Sequence, residues 1–199
     1  SELMDRVLNK FGDESVAELA STWLCIEDIS NLCTKIIEDR RIGGSPIEAS
    51  TRYILYDKKV DSKWKYVRSK SIIESEVGGK YVDTMDFLFE VYAAMVDPMK
   101  ALFSRRLTKE EFVISVDRND KKIDNVHEKE LADDNERKAF KLAYDFTIRS
   151  AACDVIRCVL PAATQANVGL NGVGRFYWQL LNKLYSDELQ EANELADLI

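Results

Sequence analysis

The sequence is poor in the residues that build metal centres and nucleophilic triads. Its 199 residues contain a single histidine, His127, which lies in a charged, loop-like stretch. This setting disfavours a Ser-His-Asp or Cys-His catalytic arrangement. The four cysteines, none in a CxxC pair, are Cys25, Cys33, Cys153 and Cys158. We therefore expect no metal site, and we predict free, buried thiols within helices of a cytoplasmic protein.

Long apolar runs and excess positive charge are also absent. No run of about 18 apolar residues occurs, so the sequence predicts no membrane-spanning helix. Lys and Arg total 28 against 35 Asp and Glu, which gives a formal net charge of -7. Nucleic acids and anionic membranes bind surfaces with an excess of Lys and Arg, and we expect neither as a partner. An anionic ligand would have to be bound by a few arginines placed close together.

Apolar residues recur at steps of three and four along much of the chain, which predicts helices. The long predicted helices cover residues 15–39, 80–106, 134–158 and about 173 or 175 to 198, and a short amphipathic helix covers 2–9. We expect Pro98 to kink or divide the second of the long helices. The width of the apolar stripe over residues 15–39 places that helix in the core or in an oligomer interface.

Fewer segments predict strands or loops. Two β-branched or aromatic runs, 51–55 and 64–68, are expected to pair as a small hairpin. We predict a mobile excursion over 108–138, with a short helix or strand at 110–116, and a loop for the nearly uncharged residues 162–174. The chain is thus predicted to be α+β and predominantly helical, with long buried helices and a small antiparallel β element in one domain over residues 1–199.

Residues 40–53 carry the strongest local signal for a ligand. This predicted loop offers three guanidinium groups, two serine hydroxyls and two adjacent glycines, from Arg40, Arg41, Arg52, Ser45, Ser50, Gly43 and Gly44. Guanidinium forks and closely approaching backbone suit a phosphate. The alternative is that Arg40 and Arg41 only complement the negative end of the preceding helix dipole.

A further arginine lies at the end of the third long predicted helix. Arg157 follows the apolar pair Val155-Ile156, and an unpaired charge in such surroundings is costly. Two kinds of partner stay open on the sequence. The arginine pairs with the carboxylate of Asp154 or Glu48, or it binds a ligand phosphate.

Three motifs in the chain resemble those of the flavin-dependent thymidylate synthases. They read G-x-E-S-V-x-E at residues 12–18, S-x-x-E-x-S-x-R-Y at 45–53 and R-C-V-L-P at 157–161. They occur in the family's order and at about its spacing, so that the resemblance covers residues 12–53 and 150–195. It implies the family's fold for the whole chain, without the opening strand region that precedes the first motif in the family.

The chain departs from the family at several positions. The family's Arg-His-Arg triplet reads R-R-I at residues 40–42, or E-D-R at 38–40 in an alternative register. Its Asn-x-Arg motif reads V-G-R at 173–175, and a later arginine that contacts the nucleotide in the family is replaced by Leu184. These departures resemble a divergent subgroup built from two related halves, of which this chain would be one.

The resemblance implies an enzyme that reductively methylates dUMP to dTMP, with methylenetetrahydrofolate as carbon donor and FAD, reduced by NADPH, as cofactor. It implies substrate-binding roles for Glu48, Ser50, Arg52 and Arg157, with Ser50 and Arg52 as the catalytic residues. It implies cofactor-binding roles for Arg40, Arg41, Asn171 and Arg175. It further implies a homo-oligomer, a tetramer in the family, or a second related domain as partner.

Two other functions stay open on the sequence. One is a family-like domain that has lost catalysis and serves as a structural or nucleotide-binding partner of an active half, which the residues at 40–42 and Leu184 motivate. The other is a helical interaction module without a small-molecule site. In that case Arg40 and Arg52 only cap helices and pair with carboxylates.

Overall fold

The structure, a computed structural model, describes residues 14–39 and 42–199. The predicted helix over residues 2–9 lies outside the described residues. The chain divides into two compact units. The first unit contains the described residues up to Ser50 together with 65–85 and 161–199, and the second contains 51–64 and 86–160.

The first unit is built on a three-stranded antiparallel sheet. Its strands are β1 (Ser21–Ser30), β2 (Gly44–Glu48) and β5 (Gln165–Val173), in the order β1-β5-β2. In the central strand, Leu170 aligns with Leu24 of β1 and with Pro46 of β2. A 3-10 helix, Glu14–Leu19, precedes β1. The sheet therefore joins segments that lie far apart in the sequence.

The predicted helix over residues 15–39 is wrong in its first part. Only its end is α-helical, as α1 (Asn31–Glu38), and residues 21–30 form β1. Ile26 and Ile29 are 5% and 7% exposed although they lie three residues apart. A bulge between them, where Asp28 has a φ of 58°, turns both side chains to the buried face. The bulge gives β1 a three-residue spacing that imitates a helix.

The predicted loop over residues 162–174 is largely the central strand β5. Ala166, Val168 and Leu170 alternate as buried residues along it. A central strand is hydrogen-bonded on both edges and buries a face against the helices, so its lack of charge reflects burial rather than a ligand-binding loop. Residues 44–48, also predicted as loop, form β2 against the other edge of β5.

Helix α1 and two C-terminal helices cover the buried face of this sheet. The predicted C-terminal helix is two helices, α5 (Gly174–Tyr185) and α6 (Gln190–Leu198). Between them the Asp187 carboxylate accepts a hydrogen bond from the Leu189 N–H at 2.9 Å, a local turn that competes with the helix. The main buried residues of this core are Ile26, Ile29, Cys33, Ile37, Val168, Leu170, Phe176, Leu180, Leu184, Ala192, Leu195 and Ala196.

Two long helices confirm the predictions over 80–106 and 134–158. They are α3 (Gly78–Arg106), which follows the short helix α2 (Lys70–Ile73) and contributes residues to both units, and α4 (Asp134–Ile156). Pro98 lies inside α3, which continues through it without division. The Asp133 carboxylate caps the start of α4 by accepting hydrogen bonds from the N–H groups of Asn135 and Glu136.

Residues 108–138 contain a β-hairpin where the sequence predicted a mobile excursion. Strand β3 (Val113–Arg118) pairs antiparallel with β4 (Lys121–His127). The turn residues Asn119 and Asp120 have φ values of 53° and 59°, which suit a two-residue hairpin turn. A small core of Val116, Val126, Leu131 and Phe140 joins the hairpin to α4.

The predicted hairpin over residues 51–68 is wrong. Among these residues the backbone pairs only at isolated bridges, Val60 with Lys63 and Tyr66 with Thr164. Trp64 and Tyr66 are buried, so the aromatic pattern reflects packing rather than strand pairing. The predicted class, α+β and predominantly helical with a small antiparallel sheet, is nevertheless confirmed. Across the described residues, none of the helices has the length and apolar character needed to span a bilayer.

Candidate functional site

Two predicted site residues of the second unit meet at one carboxylate. Asp154 lies in the last turn of α4, and Arg157 begins the short 3-10 helix that follows. Arg52 Nε and Arg157 Nη2 each lie 3.1 Å from Asp154 Oδ1. Of the partners that the sequence left open for Arg157, the structure thus shows Asp154. The spacing along α4 places Asp154 and Arg157 on one face, whereas the approach of Arg52 is a tertiary contact.

The cluster is open to solvent. Two guanidinium groups approach one carboxylate oxygen, in a chain whose formal net charge is -7. The three side chains are 41–50% exposed. Ion pairs exposed to this extent contribute at most about 1 kcal/mol each, so a ligand phosphate can replace the carboxylate at small cost. The cluster therefore suits a small anion.

An aromatic pair adjoins the arginine cluster. The rings of Tyr53 and Phe146 stack with centroids 5.7 Å apart and an interplanar angle of 14°. The guanidinium carbon of Arg52 lies 6.0 Å from the centroid of the Tyr53 ring, which is within reach of a cation–π contact. The sequence indicated Tyr53 through its motif but gave no signal for Phe146, which lies in an ordinary helical pattern.

Glu48 and Ser50, the other predicted substrate-binding residues, belong to the first unit. Glu48 ends β2, and its Oε1 accepts a hydrogen bond from Thr34 Oγ1 at 3.4 Å. Burial and the nearby Glu38 carboxylate raise the pKa of Glu48, while the Thr34 bond opposes this shift. A pKa raised in this way makes Glu48 a better proton acceptor than an ordinary surface carboxylate.

The predicted flavin-binding residues that the structure describes, Asn171 and Arg175, lie on different elements and have different partners. Asn171 lies on β5, where its Nδ2 donates to the Thr22 carbonyl of β1 at 3.3 Å. Arg175 lies in the first turn of α5 and pairs with Glu18 at 3.7 Å, with both side chains about half exposed. Arg40 and Arg41 lie outside the described residues. The amide of Asn171 thus already has a structural role. The exposed ion pair of Arg175 with Glu18 is weak, so a ligand anion can replace the Glu18 carboxylate.

Leu184 shows what one departure from the family means physically. Leu184, which the resemblance aligns with a nucleotide-binding arginine, is 0% exposed in the core of the first unit. An arginine at this place would bury a charge among apolar residues. Leu184 therefore contributes to the packing of the core and does not lie on a surface that a ligand could reach.

In the part of the chain that the structure describes, the thiols and possible metal ligands offer no alternative site. The prediction of buried thiols is correct for Cys33 and Cys153 and wrong for Cys25 and Cys158, which are exposed. Cys25 lies on β1, so it is not in a helix as predicted. Within residues 14–39 and 42–199, no group of three or more His, Cys, Asp or Glu side chains is arranged to hold a metal ion.

Comparison with known proteins identifies the relatives of this chain. The family model described as thymidylate synthase complementing protein matches residues 1–199. A UPF0159 protein of Chlamydia pneumoniae is 35% identical over 197 residues, which is 99% of this chain and 32% of the relative. A UPF0159 protein of Chlamydia muridarum is 34% identical over 192 residues, covering 96% of this chain and 31% of the relative.

A third relative has a similar degree of identity. The UPF0159 protein of Thermoplasma acidophilum is 36% identical over 192 residues, covering 96% of this chain and 37% of the relative. The chain thus spans about a third of the length of the curated relatives that it matches. The match of the family model over the full length, together with the motifs and the fold, leads to one conclusion. The chain belongs to the thymidylate synthase complementing protein family.

Proposed function

We propose that this chain is part of a flavin-dependent thymidylate synthase, the enzyme that converts dUMP to dTMP with methylenetetrahydrofolate. The observation that carries the proposal is the convergence of Arg52 and Arg157 on Asp154. The proposal rests further on membership of the thymidylate synthase complementing protein family. The chain would contribute placement and electrostatics to the reaction.

In this proposal Arg52 and Arg157 bind the phosphate of dUMP. Each guanidinium presents parallel N–H donors that match two phosphate oxygens. A nucleotide phosphate carries more negative charge than the Asp154 carboxylate, and it would displace this carboxylate from the two arginines. Roles for Glu48 and Ser50 in substrate binding, and for Ser50 and Arg52 in catalysis, are part of the proposal through the family motif at residues 45–53 alone.

The described residues include one position that suits FAD. Arg175 lies at the start of α5, where the N-cap residue Val173 provides no side-chain hydrogen bond to the helix. A guanidinium beside an uncapped helix N-terminus favours a diphosphate, such as that of FAD. Bound flavin would supply the hydride chemistry of the reaction. Asn171 would add little, because its amide donates to Thr22.

The phosphate site can be tested by calorimetric titration of the protein with dUMP. We expect Arg157→Gln and Arg52→Gln to weaken binding roughly tenfold each, since each removes a charge-assisted contact. Arg137→Gln is the matched control, because Arg137 is an exposed arginine of α4 that pairs with Asp134 at 3.4 Å, away from the cluster. Unchanged dUMP affinity in both variants, with the fold intact by circular dichroism, would contradict the proposal.

A family domain without catalytic activity is the second candidate function. The buried Leu184 favours it, since the family's nucleotide-binding arginine has no counterpart at that position. The chain would then bind the nucleotide and support an active partner. Tritium release from dUMP labelled at C5, measured with this chain alone plus FAD, NADPH and methylenetetrahydrofolate, separates the two. Release of tritium excludes the inactive domain, whereas dUMP binding without release supports it.

A further inference from the structure

The second unit has an open groove that the proposed function does not use. The groove has a volume of about 850 Å³ and runs between α3 and α4. Ligand pockets for small molecules commonly have volumes of roughly 300–1,000 Å³. The wall on α4 includes Leu142 and Phe146, which are 71% and 45% exposed. An apolar surface of this kind is available to a ligand with an apolar body.

The hydroxyl groups that line the groove are already engaged. The hydroxyl of Ser104 donates to the Ala101 carbonyl at 3.1 Å, and the hydroxyl of Tyr144 donates to the Leu107 carbonyl at 2.9 Å. Neither hydroxyl hydrogen is left for a ligand. The charged residues that line the groove are Lys100, Asp145 and Arg149, two cations against one carboxylate. The groove is therefore locally positive in a chain of net charge -7.

Arg149 is the side chain best suited to a ligand. Its Nε is buried and makes no hydrogen bond to the described residues. Its guanidinium carbon lies 5.5 Å from the centroid of the Phe146 ring, so the planar group is held over an aromatic wall of the groove. A buried donor without an acceptor is uncommon and costs free energy. A ligand acceptor in the groove would remove that cost.

Lys100 adds a second cation from the opposite helix. Its Nζ lies 3.7 Å from a carboxylate oxygen of Asp97, which is 93% exposed and does not line the groove. Such an exposed pair restrains the lysine only weakly. Lys100 and Arg149 can therefore both turn to a negative group between α3 and α4.

We propose that this groove binds a small amphipathic anion. The apolar or aromatic body of the ligand lies on Phe146 and Leu142, and its carboxylate, sulfonate or phosphate pairs with Arg149 and Lys100. Asp145 at the groove repels anions in proportion to their charge and therefore favours a ligand of single negative charge over a polyanion. The groove is adjacent to Tyr53 through the Tyr53–Phe146 stack, but binding there requires neither Arg52 nor Arg157.

The probe for this site is anilinonaphthalene sulfonate, an aromatic anion whose fluorescence rises on binding to apolar surfaces. We expect Arg149→Gln to weaken its binding roughly tenfold through the lost charge-assisted contact, and Lys100→Gln to act in the same direction. Lys141→Gln is the control, since Lys141 is an exposed lysine of α4 outside the groove lining. The neutral analogue phenylnaphthylamine should bind wild type and Arg149→Gln equally.

Two results would overturn the proposal. One is equal sulfonate affinity in wild type and in both groove variants. The other is that the probe no longer binds at protein concentrations at which sedimentation shows self-association. In that case a second copy of the chain would occupy the groove. Arg149→Lys keeps the charge and should retain most of the sulfonate affinity, and Lys100→Gln alone tests the charge if Arg149→Gln does not fold. Titration of Arg149→Gln with dUMP should match wild type, so failure here is distinguishable from failure of the nucleotide site.

Discussion

The ion cluster of Arg52, Asp154 and Arg157 brings two exposed guanidinium groups to one carboxylate. The two arginines share a single oxygen, Asp154 Oδ1, at 3.1 Å each. Because the side chains are about half exposed, the cluster contributes little to folding stability. Its exposed guanidinium groups are instead accessible to a ligand. At the scale of single residues, this accessibility is the reason why the proposed nucleotide phosphate is placed here.

Burial separates the four cysteine thiols into two pairs. Burial, together with the carboxylates of Glu191 and Asp187, raises the pKa of Cys33 to about 12, and burial raises the pKa of Cys153. The thiolate is the reactive form. We therefore predict that Cys25 and Cys158 react quickly with a chromogenic disulfide reagent in the native protein, whereas Cys33 and Cys153 react only after unfolding.

This thiol prediction has simple controls. Cys25→Ser and Cys158→Ser should each remove one equivalent from the fast phase. Four fast equivalents in the native protein would show that the cores around Cys33 and Cys153 open readily.

Glu136 links stability to pH through its pair with Arg118. The Arg118 guanidinium donates to both Glu136 oxygens at 2.7 and 2.6 Å, and the Ala132 N–H adds a third bond at 2.7 Å. The Arg118 bonds, and then the Ala132 bond, lower the pKa of Glu136 to about 2. Because the folded-state pKa is lowered, the stabilisation is present above the unfolded pKa, near about 4.5, and is lost as the pH falls towards about 2.

We predict that acidification from about pH 6 to about pH 3 lowers the stability of wild type more than that of Glu136→Gln. Urea unfolding midpoints at the two pH values measure this difference. Glu128→Gln, which changes another glutamate near the hairpin, should retain the loss seen in wild type. An identical loss in wild type and Glu136→Gln would mean that the Arg118 pair does not set the acid sensitivity.

At the scale of elements, α5 lies against two glycines of the sheet. Gly44 of β2 and Gly172 of β5 are directly paired across the strands. A Cβ at Gly172 would lie 2.5 Å from Phe176 Cδ1, and one at Gly44 would lie 2.4 Å from Phe176 Cε2. Phe176 is 5% exposed. The absence of side chains at these two positions therefore allows the Phe176 ring to pack directly on the backbone of the sheet.

We predict that Gly172→Ala lowers the free energy of unfolding by about 1–3 kcal/mol, because it forces the Phe176 ring out of a packed core. Guanidinium unfolding measures the change. In the background of Phe176→Leu, the same glycine substitution should cost less, since the smaller side chain leaves room. Gly79→Ala is the control, because a Cβ there meets nothing within 4 Å. Equal costs in both backgrounds would refute the contact.

At the scale of the whole molecule, one face of the β1-β5-β2 sheet stays open in the described chain. Trp23 aligns through Asn171 with Ser45, and Cys25 aligns through Gly169 with Ile47, so these side chains share the face opposite the core. Trp23 and Ile47 are 79% and 73% exposed. Large exposed apolar groups on one face are typical of interaction surfaces.

We predict that the protein is a homo-oligomer that uses this face. Sedimentation equilibrium should give a mass above that of one chain, and Trp23→Ser should lower the association constant without unfolding the protein. Trp178→Ser, which changes an exposed tryptophan of α5 outside the sheet, serves as control. A monomer at all concentrations would contradict the prediction.

Two long helices and one partner of Arg157 were predictable from the sequence. The helical spacing in α3 and α4 is repeated over many turns, and each turn depends only on residues nearby in the chain. The motifs around Arg52 and Arg157 likewise indicated the family, because residue type and spacing carry that information directly. Asp154 was among the possible partners of Arg157 for the same reason, as it lies three residues away.

The sheet and its consequences were decided by tertiary structure. β1 and β5 pair residues that are more than a hundred positions apart, such as Leu24 with Leu170, and no local pattern encodes such pairing. The bulge at Asp28 gave the buried residues of β1 the three-residue spacing of a helix. The lack of charge in β5 reflects its pairing on both edges, which the sequence does not show. The burial of Leu184 and the approach of Arg52 to Asp154 also depend on chain segments brought together only by folding.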